Sequence, residues 1–464
     1  MKQVSTVLTI AGSDPSGGAG IQADIKTISA HELFATSVIT SITAQNSKGV
    51  QATFDLSLEE VEAQLKAVLE DAKPAAVKTG MLGNEALVEC VARRLKKARI
   101  KNLVVDPVIK SSSGRTLLSK KGVTALKEKL LPLALLVTPN LPEAEILSGV
   151  RIARPQDRLK AAKAICKLGV RNVLIKGGHS KKNADDFYYD GKRVEVFEGK
   201  RIGKGDWHGT GCVLSAAIAS GLVLGLSLSA AIQRAKGWVT AGITGGVGTG
   251  NGSGSVNPMA YVFASQKRFQ VIQGLSAAVE MLKQNRIGML IPEVQSNIGV
   301  GLPDALGTED VAAIPGRIVK NGNDIFTVAA PQFGASQHVA KIVLTAMQFD
   351  PTIRAVMNIK FTDPILKACR KLKFKIASFD RAKEPKNVKQ QEGSSLEWGT
   401  HKAITDCGTV PDIIYDLGGQ GKEEMIRVLA CDIGELVDKV LRIHRQVAAH
   451  VHQSGREEDS WRVR

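Results

Sequence analysis

From residue 1 to about residue 258 the chain alternates short apolar runs with longer amphipathic ones, and this alternation constrains the fold more than any single motif. Val7–Ile10, Ser37–Ile42, Ala76–Lys78, Leu103–Asp106, Leu136–Thr138 and Val173–Lys176 read as strands. Leu58–Asp71, Glu85–Ala98 and Asp157–Leu168 read as helices between them. The strand runs are short, apolar, and end in small or polar residues, as strands buried on both faces do. The pattern predicts an α/β domain with a largely parallel sheet covered by helices on both faces. Ligands in such sheets gather at the carboxyl ends of the strands, where the distinctive residues of this chain also cluster.

One such cluster is His208-Gly209-Thr210-Gly211-Cys212, placed ahead of a long apolar helical run. Glycines before a helix let backbone N–H groups converge on an anion, and the helix dipole adds to the pull. A cysteine in the first helical turn sits where a thiolate is favoured, which suits proton abstraction in phosphoryl transfer. By itself the same pattern also suits a plain structural turn. The run behind it, Val213 to Ile232, carries no charge and is long enough to cross a bilayer. Gly221, Gly225 and four serines interrupt it, so it reads as two short buried helices.

At 464 residues the chain has room for two domains with full cores. A second α/β pattern follows the first, smaller than it. The boundaries expected are 1–260 for the first domain, 265–450 for the second, and 453–464 for a charged, frayed tail. Between the domains, Gly245 to Ser255 is glycine-rich and reads either as a linker or as a loop over a nucleotide. The loop reading is preferred. The formal charge of +17 suits anionic metabolites such as ATP and pyrophosphate as well as nucleic acid. Its positive residues are spread along helices, no zinc-finger or basic-zipper pattern occurs, and aromatics are only 4%. Stacking platforms are therefore scarce, and no nucleic-acid partner is expected. Cys90, Cys166, Cys212, Cys369, Cys407 and Cys431 show neither C-x-x-C nor close Cys/His spacing, which points to reduced thiols. The apolar run at Val7–Ile10 is too short for a signal peptide. A cytoplasmic protein with no membrane partner is expected.

The first domain resembles the hydroxymethylpyrimidine and hydroxymethylpyrimidine-phosphate kinases of thiamine synthesis, a branch of the ribokinase-like superfamily. The resemblance is carried by the opening run from Ala11 to Asp24, by Thr43-Ala44-Gln45-Asn46, and by Lys78-Thr79-Gly80-Met81-Leu82. Asp106-Pro107-Val108, Thr138-Pro139-Asn140, Lys176-Gly177-Gly178-His179 and the Gly-Thr-Gly-Cys loop complete it, in the family's order. It implies a ribokinase-like sheet and two ATP-dependent phosphorylations in one pocket. Gly12, Asp24, Gln45 and Met81 are placed by it near the aminopyrimidine, although Asp24 also suits a helix charge and Met81 a core position. Asn140 and Glu143 match the superfamily's N-x-x-E element, with Glu143 positioning Mg²⁺ and Asp106 near the same cluster. Lys176 and Thr210 fall with the nucleotide. Cys212 stands where sugar kinases of the superfamily carry an aspartate base, and the amides from Gly209 through Gly211 to Cys212 hold the developing charge. The segment Ile109-Lys110-Ser111-Ser112-Ser113-Gly114 departs from the commonest family pattern, and Lys110 is a candidate phosphate contact.

The second half resembles the archaeal-type thiamine-phosphate synthase. On that resemblance Arg317 stabilises the leaving pyrophosphate and His338 orients a phosphate or shuttles a proton; Asn297 and Asp380 are weaker candidates. The substrates implied are hydroxymethylpyrimidine, ATP and thiazole phosphate, and the superfamily's habit suggests a homodimer. Two rivals remain open: a pyridoxal or pyridoxine kinase in front, and a non-catalytic domain sensing thiamine phosphates behind.

Overall fold

The computed structural model describes residues 4–111, 114–178, 183–199, 201–202, 207–385, 394–419 and 421–460, with side chains of the last helix described through Ala449. The motif residues Ser112, Ser113 and His179 lie outside them. The chain divides into two units, Met1–Phe263 and Ala264–Arg464, with the boundary inside the helix Ala260–Gln284.

In the first unit β1 (Thr6–Ser13), β2 (Phe34–Asn46), β3 (Gly49–Asp55), β4 (Ala76–Thr79), β5 (Leu103–Val105), β6 (Leu136–Val137), β7 (Asn172–Ile175), β8 (Asp186–Tyr189) and β9 (Val194–Phe197) form one sheet. Its order is β3-β2-β1-β4-β5-β6-β7-β8-β9. The six strands from β2 to β7 run parallel. Successive residues of a strand point to opposite faces, so Leu8 and Val77 enter one core while Val7 and Ala76 enter the other. The helices Leu58–Asp71, Glu85–Lys97 and Asp157–Cys166 cover the first face. Thr210–Val223 and Leu228–Thr244 cover the second, so the uncharged run is indeed two helices. Capping fixes their starts: Ser57 and Glu60 form a reciprocal capping box, and Asn84 and Ser227 accept from the first turns behind them.

The strands β3, β8 and β9 pair antiparallel at the two sides of the sheet. They are the ones the sequence pattern does not announce, because β3 and β9 are largely exposed and carry mixed residues. The glycine-rich stretch forms a loop within this unit. Val247 bridges Ser255, Ser255 bridges His208, and Ser253 N–H donates to the Ser47 carbonyl at 2.9 Å.

In the second unit β10 (Ile298–Gly301), β11 (Val311–Ala313), β14 (Gln332–Phe333), β15 (Ala355–Lys360), β16 (Ile376–Ser378), β17 (Ile413–Asp416) and β18 (Met425–Ala430) form a sheet ordered β14-β11-β10-β15-β18-β17-β16. β12 (Ile318–Asn321) and β13 (Asp324–Thr327) make a separate hairpin. Among the described residues of this unit only β16 and β17 pair in parallel, so the two units share the α/β class but not the topology. Helices Gln337–Phe349 and Ser394–Cys407 pack on one face, and Ile433–Ser460 on the other. That last helix covers residues 453–460, where the sequence suggested a frayed tail. Extending a formed helix avoids the nucleation cost, and Gln, Arg and Glu propagate it well. Residues 461–464 lie outside the described residues.

Candidate active site

The loop after β1 turns sharply before the helix Gly20–Ala30. Gly20 has φ +57°, and a Cβ there would lie 2.4 Å from the Gly12 carbonyl oxygen, so only glycine fits. Asp14 is the hub of this loop. Its carboxylate accepts Ser16 N–H at 2.9 Å, Ser16 Oγ–H at 2.7 Å and Ala19 N–H at 2.8 Å, with His208 Nε2 at 3.0 Å. Burial alone would raise its pKa, but the bonds from His208, Ser16 and Ala19 hold it at about 2.

His208 brings the second loop alongside. Gly209 has φ +88°, and a Cβ there would fall 1.8 Å from the Gly18 carbonyl oxygen, so the two loops touch backbone to backbone. The helix Thr210–Val223 starts here, with Thr210 half-buried at its first position. At Gly211 a Cβ would sit 3.1 Å from Lys176 Nζ and 3.3 Å from Asp106 Oδ2. Glycine therefore keeps open a space where a helix N-terminus and the Lys176 ammonium converge. Lys176 itself pairs with Asp106 at 2.8 Å. Burial would lower its pKa, yet Asp106 and Glu143 hold it above the ordinary lysine value.

Cys212 lies half-buried beside this space. Burial pushes its thiol up to about 11, against the pull of Lys78 beneath it. The sequence led us to expect a thiol acidified by the helix N-terminus; desolvation outweighs that in the free protein. Lys78 is fully buried and pairs with Asp24 at 2.7 Å, and Thr9 Oγ–H donates to the same carboxylate at 2.6 Å. Burial would also lower the Lys78 pKa, but Asp24, with Cys212 and Asp106 nearby, keeps it protonated. Asp24 therefore does not meet a ring in the pocket. The helix Gly20–Ala30 turns it inward on the face shared by Ile21 and Ile28, onto β4.

Gly12, Gln45 and Met81 do line the cavity, which measures about 610 Å³ and is also lined by Asp106, Lys110, Asn140, Glu143, Lys176 and the whole His208–Cys212 loop. That size suits a small ring with its phosphates. A Cβ at Gly12 would meet Met81 Sδ at 3.1 Å, so the two residues pack as one wall. The Gln45 amide lies 2.7 Å from His208 Nε2 and 3.5 Å from Thr43 Oγ1. Asp14 can only accept, so Nε2 of His208 carries a proton. Thr43 Oγ gives its hydrogen to the Ser13 carbonyl at 2.9 Å. Turning the amide so that its oxygen faces His208 and its NH₂ faces Thr43 removes a donor–donor contact, with the one Nε2 hydrogen shared between Asp14 and Gln45. The remaining lone pair and N–H then form an adjacent acceptor and donor.

Asn140 and Glu143 form a capping box at the start of the helix Leu141–Ser148. Asn140 Oδ1 accepts Glu143 N–H at 2.9 Å, and Glu143 accepts Asn140 N–H at 2.9 Å and Ile109 N–H at 3.2 Å. Burial raises the Glu143 pKa, while Lys176 opposes the shift. Among the described residues no cluster of three His, Cys, Asp or Glu side chains could hold a metal directly. Asp106 and Glu143 line the cavity with lone pairs to spare, a donor set that fits Mg²⁺.

In the second unit Arg317 is exposed, has φ +68°, and donates to the Val294 carbonyl. His338 is exposed in the first turn of the helix Gln337–Phe349. No hydrogen bond or ion pair joins these two among the described residues. Asn297 is a backbone staple: its side chain bridges both the N–H and the carbonyl of Ile314. Asp380 caps a short turn by accepting Ala382 N–H.

Residues 14–257 match the family model of phosphomethylpyrimidine kinase, and residues 274–442 that of thiamine-phosphate synthase ThiN. A bifunctional thiamine biosynthesis protein ThiDN of Methanocaldococcus jannaschii is 39% identical over 438 residues, covering 94% of this chain and 97% of that protein. The chain belongs to this bifunctional kinase–synthase family. A hydroxymethylpyrimidine/phosphomethylpyrimidine kinase of Haemophilus influenzae is 44% identical over 266 residues, covering 56% of this chain and 99% of that one. Among solved structures, the ADP complex of Bacillus subtilis pyridoxal kinase matches with a TM-score of 0.53 and 37% identity, over 56% of this chain and 99% of that one. Within this kinase–synthase framework, Asp14, Lys78 and His208 are the residues the sequence reading left without a role. A lysine inside the buried strand Ala76–Thr79 was the signal for one of them, since an apolar strand tolerates such a charge only when it is paired.

Proposed function

We propose that the first unit phosphorylates 4-amino-5-hydroxymethyl-2-methylpyrimidine twice with MgATP and that the second joins the diphosphate to thiazole phosphate. One observation carries the kinase half: a single cavity brings Gly12, Gln45 and Met81 to the same space as Asp106, Lys176 and the Gly209–Cys212 amides. Gln45, held by His208, orients the aminopyrimidine so that its hydroxymethyl group faces Cys212. Cys212 takes the hydroxyl proton as the oxygen bonds to the γ-phosphorus and the bond to the β-phosphate oxygen breaks, releasing ADP. The Gly209–Cys212 amides and Lys176 hold the charge that develops on the phosphoryl oxygens. Asp106 and Glu143 are the carboxylates that would meet the water of a nucleotide-bound Mg²⁺, which would neutralise phosphate charge. A second turnover places the monophosphate oxygen where the hydroxyl had been. In the second unit the pyrimidine methylene forms a bond to the thiazole nitrogen as its bond to the diphosphate breaks.

Incubating the full chain with ATP, Mg²⁺, the pyrimidine alcohol and thiazole phosphate, and following every phosphorylated species, tests both halves. Monophosphate, diphosphate and thiamine phosphate are expected in that order. Preferred turnover of pyridoxal in competition with the pyrimidine alcohol would give the first unit to the rival kinase. Accumulated diphosphate without thiamine phosphate would give the second unit to the sensor reading. The helices of the described residues include none long and apolar enough to cross a membrane.

A further inference from the structure

The second unit holds a charge imbalance that the roles of Arg317 and His338 leave unused. Asp416 ends β17 with its side chain wholly buried, and two guanidinium groups meet on it. Arg381, just beyond β16, places Nε 2.5 Å from Oδ1 and Nη2 3.2 Å from Oδ2. Arg427, inside β18, places Nη1 2.7 Å from Oδ2 but off the line of a hydrogen bond, so the N–H groups of that one nitrogen are unspent. Both arginine side chains are buried, at 11% and 3% exposure. Among the described residues that meet there, two cations face one anion, which leaves a net positive charge in a desolvated place.

An uncompensated buried charge costs several kcal/mol. The Phe379 ring offsets part of this, with its centroid 5.6 Å and 5.4 Å from the two guanidinium carbons. A purely structural staple for Asp416 would need only one arginine. The sheet supplies a second argument. Asn358, Arg427 and Ile414 are partners across β15, β18 and β17, and Lys360, Met425 and Asp416 form the next row on the same side. Deeper along that side Val356 and Leu429 pack under the helices Gln337–Phe349 and Ser394–Cys407. At the two end rows this apolar packing gives way to Asn358, Lys360, Arg427 and Asp416. His338 lies in the first turn of the first of those helices beside Val339, whose methyls crowd Gly299 of the neighbouring β10. Ile318, next to Arg317, bridges Ser296 just before β10.

We infer that Arg381 and Arg427, held in place by Asp416, form an anion subsite for a phosphate monoester or diphosphate group. Planar guanidinium forks bind such oxyanions bidentately, and the added negative charge completes the balance that Asp416 alone leaves open. The synthase reading names which phosphate arrives; the subsite itself rests on the charge count and the fork geometry.

Hydrogen exchange of the wild-type full chain, with and without inorganic pyrophosphate at about millimolar level, tests the subsite directly. Slower exchange of the backbone amides of Ala382 and Gly418, the second of which donates to Asp416, is expected; unchanged exchange would overturn the inference. Steady-state coupling kinetics supply the second arm. Arg381→Gln should raise one substrate KM about tenfold to hundredfold, the range of a lost charged hydrogen bond, with a smaller change in kcat. Arg381→Lys, which keeps the charge but loses the fork, should fall between. A shift confined to thiazole phosphate assigns the monoester, and one confined to the pyrimidine diphosphate assigns the diphosphate. Product formation with both KM values unmoved in a folded Arg381→Gln chain sinks the subsite and leaves the synthase reading standing. Pyrophosphate protection without thiamine phosphate from the wild type does the reverse.

Discussion

The kinase pocket and the polar end of the second sheet are built in opposite ways. In the first unit, Gly209, Gly211 and Gly20 let backbone approach backbone, and the anion space lies at a helix start. In the second, Arg381 follows β16 while Asp416 and Arg427 lie in β17 and β18, and the charge sits in side chains. A backbone cradle demands particular residue types at adjacent positions, so it leaves a motif. A side-chain cluster across strands demands only that register bring distant residues together, so it leaves none.

The strongest test of that contrast is the thiol at the edge of the cradle. Cys212→Ala should lower kcat by about a hundredfold to ten-thousandfold, the usual share of a general base, while ATP binding persists. Near-normal turnover would remove the base. The pH dependence has a definite sign. A thiol pushed up to about 11 is almost wholly protonated at pH 7, so thiolate rises with pH. The kcat/KM of the wild type, which reports the free enzyme, should therefore climb about tenfold per pH unit above neutrality. A plateau near pH 8 contradicts this.

Next in size is Gly209→Ala. Its methyl would collide with the Gly18 carbonyl at 1.8 Å, separating the loops and costing about a hundredfold in kcat/KM, as misplacement of an ångström does. Comparable kcat/KM for Gly209→Ala and the wild type would break the claim that backbone contact builds this site. His208→Asn should then raise the KM for the pyrimidine alcohol about tenfold with little change in kcat, since it frees the Gln45 amide without touching the reacting oxygen. An equal fall in kcat would show that His208 serves the chemistry instead. Smallest is Asn140→Ala, expected to cost about 1 kcal/mol through the lost cap. The thermal transition of the first unit should drop by roughly 2–4 °C, the response of a domain of this size.

Much of the front half was legible because its signals are local. Buried parallel strands read as apolar runs, and Leu58–Asp71 could be bounded from its periodicity. The edge strands β3 and β9 were not, since half-exposed pairing leaves no distinctive composition. Asp24 was misplaced although its spacing from Ile21 and Ile28 puts it on the buried face of its helix. Its partner Lys78 lies 54 residues away, a pairing that only the fold reveals. The Cys212 thiol was misjudged because the helix dipole can be read from position, whereas the burial that outweighs it cannot. The same reason hides Asp14 and His208, whose meaning depends on their meeting.

That meeting spans 194 positions of chain. A ribosome making this protein exposes the first half of the binding cleft long before the residues that complete it emerge from the exit tunnel. Substrate captured during synthesis would thus report a finished front half, and a vitamin precursor added to a translating lysate should protect from proteases only those nascent chains already extended past Ser255, which bridges His208.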